Sequence, residues 1–353
     1  MIESIKSRRG NAALILALAL ALTVCQIFGA LAFADTDGVP YGAYASVDSV
    51  YLGGTPIGIV VKSDGLTVAD YVEVITAGDA VCPAREAGIL RGDTLIAING
   101  NPLKEVRDIS ENVAASPDKV IVDIERGGDR KVAEVLPAKD IVSGEYKLGI
   151  LVKNDIAGVG TVTFVKDDGR VCTLGHCIAD PGENNAYKYQ KGNFYRCRIL
   201  GSVKGKENEA GVLKGVFDRN SESIGVIDLN NDFGVYGVAT GSELYSSRPR
   251  VMTGMRNEVS PGKAYIYTTI EGQSPKKYEI EIVKVEVQDA PSTKGMVIRV
   301  TDKALLDVTG GIVQGMSGSP IIQNGKLVGA VTHVFLNDAA YGYGIYAEWL
   351  LQQ

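Results

Sequence analysis

The sequence predicts a mainly β protein with an apolar N-terminal helix, a small α+β unit and a larger β-rich domain. Glycine supplies 42 of the 353 residues, above the average share of about 7%. Because glycine is common in turns, this content favours many short strands joined by turns over a helical bundle. Short apolar segments bounded by glycine turns recur from about residue 145 onward, as in sandwiches and barrels. The length suits two or three domains of about 100–200 residues each.

The composition excludes some functional classes. The chain has 45% hydrophobic and 22% charged residues and a formal net charge of −6, which is ordinary for a globular protein. No basic block follows the N-terminus, so the sequence does not support nucleic-acid binding. Nothing in it indicates a metal or an organic cofactor.

The N-terminal segment, residues 1–34, reads as a signal or signal-anchor helix. Basic residues between positions 6 and 9 precede an apolar run from Ala12 to Ala34. About 20 apolar residues can span a bilayer, and basic residues before them favour keeping that end in the cytoplasm. We therefore expect the remainder to be exported. Ala32-Phe33-Ala34 also fits a signal-peptidase site, so cleavage and retention stay open, with the length favouring an anchor.

Four cysteines lie outside this run: Cys82, Cys172, Cys177 and Cys197. In an exported chain they allow three full disulfide pairings, between which the sequence does not choose. Cys172 and Cys177 flank His176 closely, which makes a bond between them one candidate. Their spacing does not follow the usual two-plus-two pattern of a zinc site.

Residues 35–50 read as a polar linker, and residues 51–138 as a compact unit. The unit opens with a glycine-rich turn that leads into an apolar strand ending near Val61. A short helix, an Asn-Gly turn, a helix from Val106 to Ala115 and a glycine hairpin follow.

Within this unit, Ala84 to Gly88 and Gly92 to Gly100 carry a pattern that resembles PDZ domains. The resemblance implies that an extended peptide binds as an added strand, its C-terminal carboxylate captured by backbone N–H groups. By the same resemblance the carboxylate loop runs from Gly54 to Ile59. Pro56 within this loop has no N–H donor, which weakens it as a carboxylate site. The peptide-binding residues implied are Gly54, Ile57, Gly58 and Ile59.

Residues 145–353 form the third predicted domain. Many short strands separated by glycine turns predict a sandwich or a barrel. The strand-like segments are 147–152, 160–166, 170–174, 211–217, 224–229, 235–239, 277–287, 295–300, 319–323, 327–334 and 342–346.

The run from Gly315 to Pro320 predicts a nucleophilic serine. Gly315 and Gly318 allow a sharp turn that exposes Ser317, and a serine hydroxyl attacks only when a base accepts its proton. By analogy with serine proteases, the N–H groups of Gly315 and Ser317 would form the oxyanion hole. Two alternatives remain, a plain glycine turn and Ser319 as the nucleophile.

His176 is the predicted general base, because imidazole titrates near neutrality and the chain has only two histidines. It follows an apolar strand and precedes the serine in the chain, which is the chymotrypsin-like order. This order predicts a chymotrypsin-like double β-barrel. His333 lies within an apolar strand and is expected to be a buried, hydrogen-bonded structural residue.

A third residue, a carboxylate, should hold the imidazole in the correct tautomer. The chymotrypsin-like spacing favours the segment from Asp218 to Asp232. The candidates are Asp218, Asp228, Asp232, Asp302 and Asp307.

The third domain resembles the SpoIVB-type sporulation serine peptidases. The resemblance rests on Gly158–Phe164, Leu174-Gly175-His176, Thr309–Lys326 and Gly329–Phe335, and on the order of anchor, PDZ unit and peptidase. In that family the acidic residue shortly precedes the serine motif. The matching position is Asp302, which the resemblance implies as the third catalytic residue, with Asp228 as runner-up.

The resemblance also implies a function. Family members act between the two forespore membranes, cleave themselves and then cut an inhibitor of a membrane-embedded metalloprotease, which triggers sigma-K processing. The expected partners are thus this inhibitor, the protein itself as substrate, and the membrane, which the N-terminal helix would contact. Two other readings are a catalytically inactive PDZ scaffold and a general extracytoplasmic quality-control serine protease. The occupied triad positions argue against the first, and the PDZ unit preceding the peptidase argues against the second.

Overall fold

A computed structural model describes residues 49–179, 186, 189, 191–206 and 208–353. The predicted signal or anchor segment, residues 1–34, and residues 35–48 of the predicted linker lie outside this range. Among the described residues, no helix has both the length and the apolar character needed to cross a bilayer.

Strands dominate the described part of the chain, and few helices interrupt them, which confirms the predicted mainly β class. The strands are β1 (Ser49–Leu52), β2 (Pro56–Tyr71), β3 (Val74–Ile75), β4 (Ala80–Val81), β5 (Thr94–Ile98), β6 (Asn101–Pro102), β7 (Val120–Arg126), β8 (Asp129–Val135), β9 (Ala138–Lys139), β10 (Tyr146–Lys147), β11 (Ile150–Val165), β12 (Arg170–Thr173), β13 (Lys191–Arg196), β14 (Arg198–Val203), β15 (Val212–Val216), β16 (Gly225–Asn231), β17 (Gly234–Ala239), β18 (Arg250–Thr253), β19 (Gly262–Thr268), β20 (Lys276–Val285), β21 (Met296–Val300), β22 (Pro320–Gln323), β23 (Lys326–Val334) and β24 (Tyr341–Tyr346). The helices are α1 (Pro83–Glu86), α2 (Val106–Ala115), α3 (Lys303–Thr309) and α4 (Ala347–Leu351), with a 3₁₀ turn at Arg256–Glu258.

A first barrel closes through antiparallel pairs in the order β2, β13, β16, β17, β12, β11 and back to β2. Closure leaves these strands without a free edge inside the ring. Alternate residues point inward, and Ile57, Ile59, Val162 and Phe194 fill the interior. The strand β12 ends directly before the histidine turn.

A second barrel closes in the order β19, β22, β23, β24, β21, β20 and back to β19. Its core includes Ile266, Ile280, Ile298 and Ile321. The strand β1 pairs with β11 of the first barrel and with β18, which pairs in parallel with β23 of the second. The serine turn immediately precedes β22.

The small unit packs α1 and α2 against β5, β7 and β8 around its own apolar core. Asp93, which is 1% exposed, accepts two hydrogen bonds from the Arg126 guanidinium at 2.6 and 2.7 Å. A buried carboxylate needs such partners, and this pair explains the Gly-Asp within the sequence pattern.

The boundaries of the units differ from those the sequence suggested. Ser49 and Val50 are strand residues and not linker. The strand β2 has 16 residues, and its first half, Ile57 to Lys62, pairs with β11 and β13 of the first barrel. Only its second half, from Leu66, pairs with β5 of the small unit. The segment 49–62 therefore belongs to the barrel, and the unit predicted as 51–138 begins after it.

Candidate active site

The serine turn depends on two glycines with left-handed backbone. Gly315 has φ +96° and Gly318 has φ +93°, a region that other residues enter only with strain. A Cβ atom on Gly318 would lie 2.1 Å from the Thr161 oxygen and 2.5 Å from the Leu174 nitrogen. Only glycine fits there, because the turn packs directly on the first barrel.

The first barrel fixes the backbone of this turn through β11. The Thr161 N–H donates to the Ser317 oxygen at 3.1 Å, and the Thr161 hydroxyl donates to the Gly315 oxygen at 2.8 Å. The Thr163 hydroxyl donates to the Gly318 oxygen at 2.8 Å. Thr161 and Thr163 were not among the predicted site residues. Their alternation in Gly160-Thr161-Val162-Thr163 was the available signal, since residues two apart share one face of a strand.

The side chain of Ser317 is half-buried and points toward the second barrel. Its hydroxyl donates to the Thr332 carbonyl oxygen at 2.8 Å. The N–H groups of Gly315 and Ser317, the predicted oxyanion donors, make no hydrogen bond within the described part of the chain. Ser319, the alternative nucleophile, is fully buried, and its hydroxyl finds no partner among the described residues. Burial closes Ser319 to a substrate.

The histidine turn contains a strained residue. Leu174 has φ 68° and Gly175 has φ 71°, and the left-handed region costs a leucine roughly 1–2 kcal/mol. The Leu174 side chain packs on Gly160, where an added Cβ would lie 2.4 Å from the Leu174 Cδ2 atom. A Cβ on Gly175 would lie 3.0 Å from the Thr332 Cγ2 atom. The histidine turn therefore abuts the residue that accepts the Ser317 hydrogen bond.

The imidazole of His176 has a defined tautomer. Its Nδ1 atom lies 2.8 Å from the carbonyl oxygen of Cys177. A carbonyl oxygen only accepts, so Nδ1 carries the proton and Nε2 keeps its lone pair. Burial lowers the pKa of His176 below its ordinary value, and the Cys177 hydrogen bond partly opposes this shift. His176 is thus held neutral with Nε2 available as a base.

His333 differs from its expected role. Its side chain is exposed, and its ring lies 5.0 Å from the His176 ring, centroid to centroid, with the planes inclined by 36°. The expectation of a buried structural histidine was wrong, because Thr332 points inward and the next residue along the strand must face the other way. Loss of solvation, with the charges of His176 and Lys294, lowers the pKa of His333 to about 4.

A cavity of about 380 Å³ opens beside the two histidines. Asp232 and Phe233 line one wall, and Pro291, Ser292 and Thr293 line another. Asp232 is exposed and close enough to the Cys177 thiol to contribute to its raised pKa, after burial as the main cause. Among the described residues that line this cavity, Asp232 is the carboxylate.

Of the other four candidate carboxylates, Asp302 and Asp228, the two that the sequence ranked first, are engaged elsewhere. Asp302 is the N-cap of α3: its Oδ1 accepts from the Leu305 N–H at 3.2 Å, and its Oδ2 accepts from the Glu279 N–H at 3.3 Å. Asp228 forms an ion pair with Arg170 at 2.5 Å. Neither is hydrogen-bonded to His176 in the described structure, so the role of Asp302 stays a prediction to be weighed against Asp232.

The predicted peptide-binding residues form no open loop. Ile57 and Ile59 are 0% and 2% exposed inside the first barrel, and both edges of β2 are paired there, with β11 and β13. Gly54 donates to the Val162 oxygen at 2.7 Å and accepts from the Thr269 hydroxyl at 2.9 Å. A Cβ on Gly58 would lie 2.4 Å from the Phe217 ring. The assignment of Gly54, Ile57, Gly58 and Ile59 to peptide binding was therefore wrong.

The described cysteines, Cys82, Cys172, Cys177 and Cys197, are unpaired thiols. Cys172 is fully buried, and burial raises its pKa to about 12, which keeps the thiol protonated and unreactive. Within the described residues, no group of three or more His, Cys, Asp or Glu side chains is arranged to hold a metal ion.

Comparison with protein families decides the assignment. The model of the SpoIVB peptidase S55 family matches residues 144–351, more than half of the chain. The chain belongs to the SpoIVB peptidase S55 family. It is therefore a serine endopeptidase, as the serine and histidine motifs predicted. A PDZ domain model matches residues 74–126, which confirms the PDZ assignment of the small unit.

Several solved proteases show distant similarity. The Rv3671c protease of M. tuberculosis in its inactive form matches with 18% identity and a TM-score of 0.33, covering 56% of this chain and 82% of that one. Its active form matches with 14% identity and a TM-score of 0.31, covering 57% and 73%. The HtrA-type protease AlgW with a decapeptide matches with 12% identity and a TM-score of 0.36, covering 85% of this chain and 62% of that one.

Proposed function

We propose that this peptidase is an exported, self-cleaving endopeptidase that acts between the forespore membranes and cuts a regulator of a membrane-embedded metalloprotease, thereby triggering sigma-K processing. Family membership and the PDZ domain support the proposal. The apolar run before Ala34, with its basic flank, supports export and membrane attachment. The architecture we propose for the catalytic part is the chymotrypsin-like double β-barrel.

The catalytic proposal rests on the contact of the serine turn and the histidine turn with the same residue, Thr332. The Ser317 hydroxyl rests on the Thr332 oxygen, and the turn that bears His176 packs on Thr332. We propose that Ser317 rotates from Thr332 to the Nε2 atom of His176. The neutral imidazole then accepts the hydroxyl proton as the serine attacks the substrate carbonyl.

The N–H groups of Gly315 and Ser317 are proposed to stabilise the resulting oxyanion. They have no competing acceptor within the described residues, which leaves them available to a substrate. Donors fixed in advance stabilise the transition state without reorganising during the reaction, and losing one typically costs about 10²–10³ in turnover.

For the third residue we propose Asp232, because it lines the pocket of His176. The family resemblance favours Asp302, which instead caps a helix. An acidic group near the imidazole stabilises the imidazolium formed during attack. Asparagine replacement at each position, described below, separates the two.

Self-cleavage is tested by incubating the purified protein and its Ser317→Ala variant side by side and measuring intact masses. The proposal expects only the unsubstituted protein to shorten, and the new termini would define the cleavage site. A Ser317→Ala variant that shortens equally would show a contaminating protease. If neither form shortens while an unrelated unfolded protein is degraded by the unsubstituted form alone, the chain is a general quality-control protease.

A further inference from the structure

A second cavity lies on the outer face of the second barrel. Its volume is about 460 Å³, within the range of about 300–1,000 Å³ that is typical of ligand sites. Residues of β1 and β18 line one side, and residues of β19, β20 and β22 line the other. Among the described residues, it shares no lining residue with the cavity beside His176. It is therefore a separate site.

Part of the lining of this cavity is aromatic and apolar. In β19, Ile266 packs in the barrel core, so Tyr265 and Tyr267 on either side of it face outward, into the cavity. Leu52 of β1 and Ile322 of β22 also line it. These side chains offer a surface on which an apolar side chain of a ligand can pack.

The charged part of the lining has a single sign. Every charged side chain that lines the cavity in the described structure is a cation, namely Arg250, Lys263 and Lys277. The whole chain, in contrast, has 42 acidic against 36 basic residues and a formal net charge of −6. Three cations around one cavity of an acidic protein are complementary in charge to an anionic partner.

Two cations at this cavity are in contact with neutral groups. The Lys277 ammonium lies 3.7 Å from the centroid of the Tyr265 ring and makes no ion pair within the described residues. The Arg248 guanidinium, behind the wall, donates to the backbone oxygens of Leu52 at 3.0 Å and of Gly53 at 2.7 Å. Since no described carboxylate neutralises them, both charges contribute to a positive potential at the cavity.

The other two cations have partners that lie outside the cavity. Lys263 forms an ion pair with Glu279 at 2.5 Å, and Arg250 forms one with Asp167 at 2.6 Å. Neither carboxylate lines the cavity. All four side chains are more than 40% exposed, and exposed ion pairs contribute little to stability. A carboxylate of a ligand can therefore share or replace these partners.

We propose that this cavity, called the basic cavity below, binds an acidic peptide segment of a partner protein. An apolar side chain of the segment packs on Tyr265 and Tyr267, and carboxylates beside it pair with Lys277, Lys263 and Arg250. Charge-assisted hydrogen bonds of this kind are stronger than neutral ones. A bare inorganic anion would leave the aromatic lining unused, which favours a peptide.

The basic cavity and the serine turn lie at the two ends of one strand. The strand β22 begins at Pro320, three residues after Ser317, and its residue Ile322 lines the cavity. A protein substrate can therefore be held at a second point while its scissile bond lies in the catalytic cavity. This identification of the partner as a substrate rests on the proposed function, whereas the binding site itself does not.

The first test measures binding to the full-length Ser317→Ala protein by fluorescence anisotropy. The probe is a hexapeptide with acetylated and amidated ends, Asp-Leu repeated three times, that carries an uncharged dye. Lys277→Gln should weaken its binding at least about five-fold. Lys276→Gln is the matched control, because neighbours on a strand face opposite ways and Lys276 does not line the cavity. Equal affinities of the two exposed-lysine variants would overturn the proposal.

A second probe separates recognition of charge from apolar adhesion. The same hexapeptide with Asn in place of each Asp has nearly the same shape and no charge. We expect it to bind at least about ten-fold more weakly than the acidic form. Equal binding of the two peptides would contradict the proposal. Displacement of the acidic peptide by inorganic phosphate at constant ionic strength would show a simple anion site and contradict the peptide assignment.

Kinetics of the active protein test whether the partner is a substrate. The substrates carry the cleavage sequence found in the self-cleavage experiment, joined by a flexible linker to the acidic or the neutral hexapeptide. Lys277→Gln should raise KM for the acidic substrate alone and leave kcat unchanged, as expected for a contact made equally in ground and transition states. The same KM in Lys277→Gln and Lys276→Gln would exclude a role in substrate binding.

Binding and cleavage can fail independently. An acidic peptide that binds in a Lys277-dependent way to a protein that cleaves no substrate would sink the proposed function and leave the basic cavity standing. Cleavage with no Lys277-dependent binding would have the opposite meaning.

Discussion

The serine turn and the histidine turn are built in different ways, although they meet at Thr332. The backbone of the serine turn is fixed by Thr161 and Thr163 of the first barrel and by the Gly318 N–H, which donates to the Val331 oxygen at 2.8 Å. The histidine turn instead contains the strained Leu174. Within the described part of the chain, its imidazole is hydrogen-bonded to the carbonyl oxygen of the next residue.

This difference separates the backbone of the serine turn, which is already held in place, from the Ser317 side chain, which must rotate in the proposed mechanism. The backbone that would bind an oxyanion is in place, whereas the Ser317 hydroxyl is hydrogen-bonded to Thr332 and not to His176. In the proposed mechanism, the Ser317 side chain rotates from the Thr332 oxygen to the Nε2 atom of His176. In this structure the Ser317 hydroxyl is therefore paired with a backbone oxygen, while the main chain around it is held by the first barrel.

The largest expected effect comes from removing the nucleophile. Ser317→Ala should lower turnover by about 10⁶, as in template serine proteases, with thermal unfolding nearly unchanged. Ser319→Ala is the matched control. It removes a buried hydroxyl that has no partner among the described residues, so activity should persist. Loss of activity only in the Ser319 variant would transfer the nucleophile to that position.

The next effect concerns the carboxylate that supports the imidazole. Asp232→Asn should slow turnover by up to about 10⁴, the cost of the corresponding change in the template. Asp302→Asn should leave both turnover and thermal stability nearly unchanged, because asparagine caps a helix about as well as aspartate. Both variants are measured by kcat/KM and by thermal melting. A collapse of activity in Asp302→Asn with normal Asp232→Asn activity would restore the assignment implied by the family.

A backbone change in the serine turn should have a smaller but clear effect. Gly318→Ala places a Cβ within 2.1 Å of the Thr161 oxygen, so the turn must shift. A displacement of about 1 Å can cost about 10² in rate. Gly325→Ala is the control, with a similar φ of +79° but no atom within 4 Å of the added Cβ. Equal losses of activity in both variants would mean that the Gly318→Ala effect comes from backbone strain and not from contact with the first barrel.

The smallest expected effect is a shift in pH dependence. Catalysis needs neutral His176, and burial lowers its pKa below the ordinary 6.5. Activity should therefore persist as the pH falls through 6.5 and decline only at more acidic values. The acid limb of kcat/KM against pH measures this directly. An acid limb at or above 6.5 would show that the histidine turn gains an acidic partner in the working enzyme.

The sequence was informative where function depends on local geometry. Ser317 and His176 could be proposed from the sequence because a glycine-flanked serine turn is visible in consecutive residues and the chain has only two histidines. The strands that pair with β2 could not be predicted, because the residues of an apolar strand do not indicate which distant strand it pairs with. The assignment of peptide-binding residues was wrong for the same reason, because Ile57 and Ile59 are equally compatible with a strand of a PDZ domain and a strand of a barrel. Asp302 and Asp232 depend on long-range placement that spacing alone does not encode.

The central claim, that Ser317 and His176 act as a catalytic pair across the two turns, is tested most directly by fluorophosphonate labelling. The rate of adduct formation is followed by peptide mass spectrometry in the unsubstituted protein and in a folded His176→Gln variant. We predict one adduct, on Ser317, formed at least about 100-fold more slowly without the histidine base. An adduct on another residue, or an unchanged rate in His176→Gln, would contradict it.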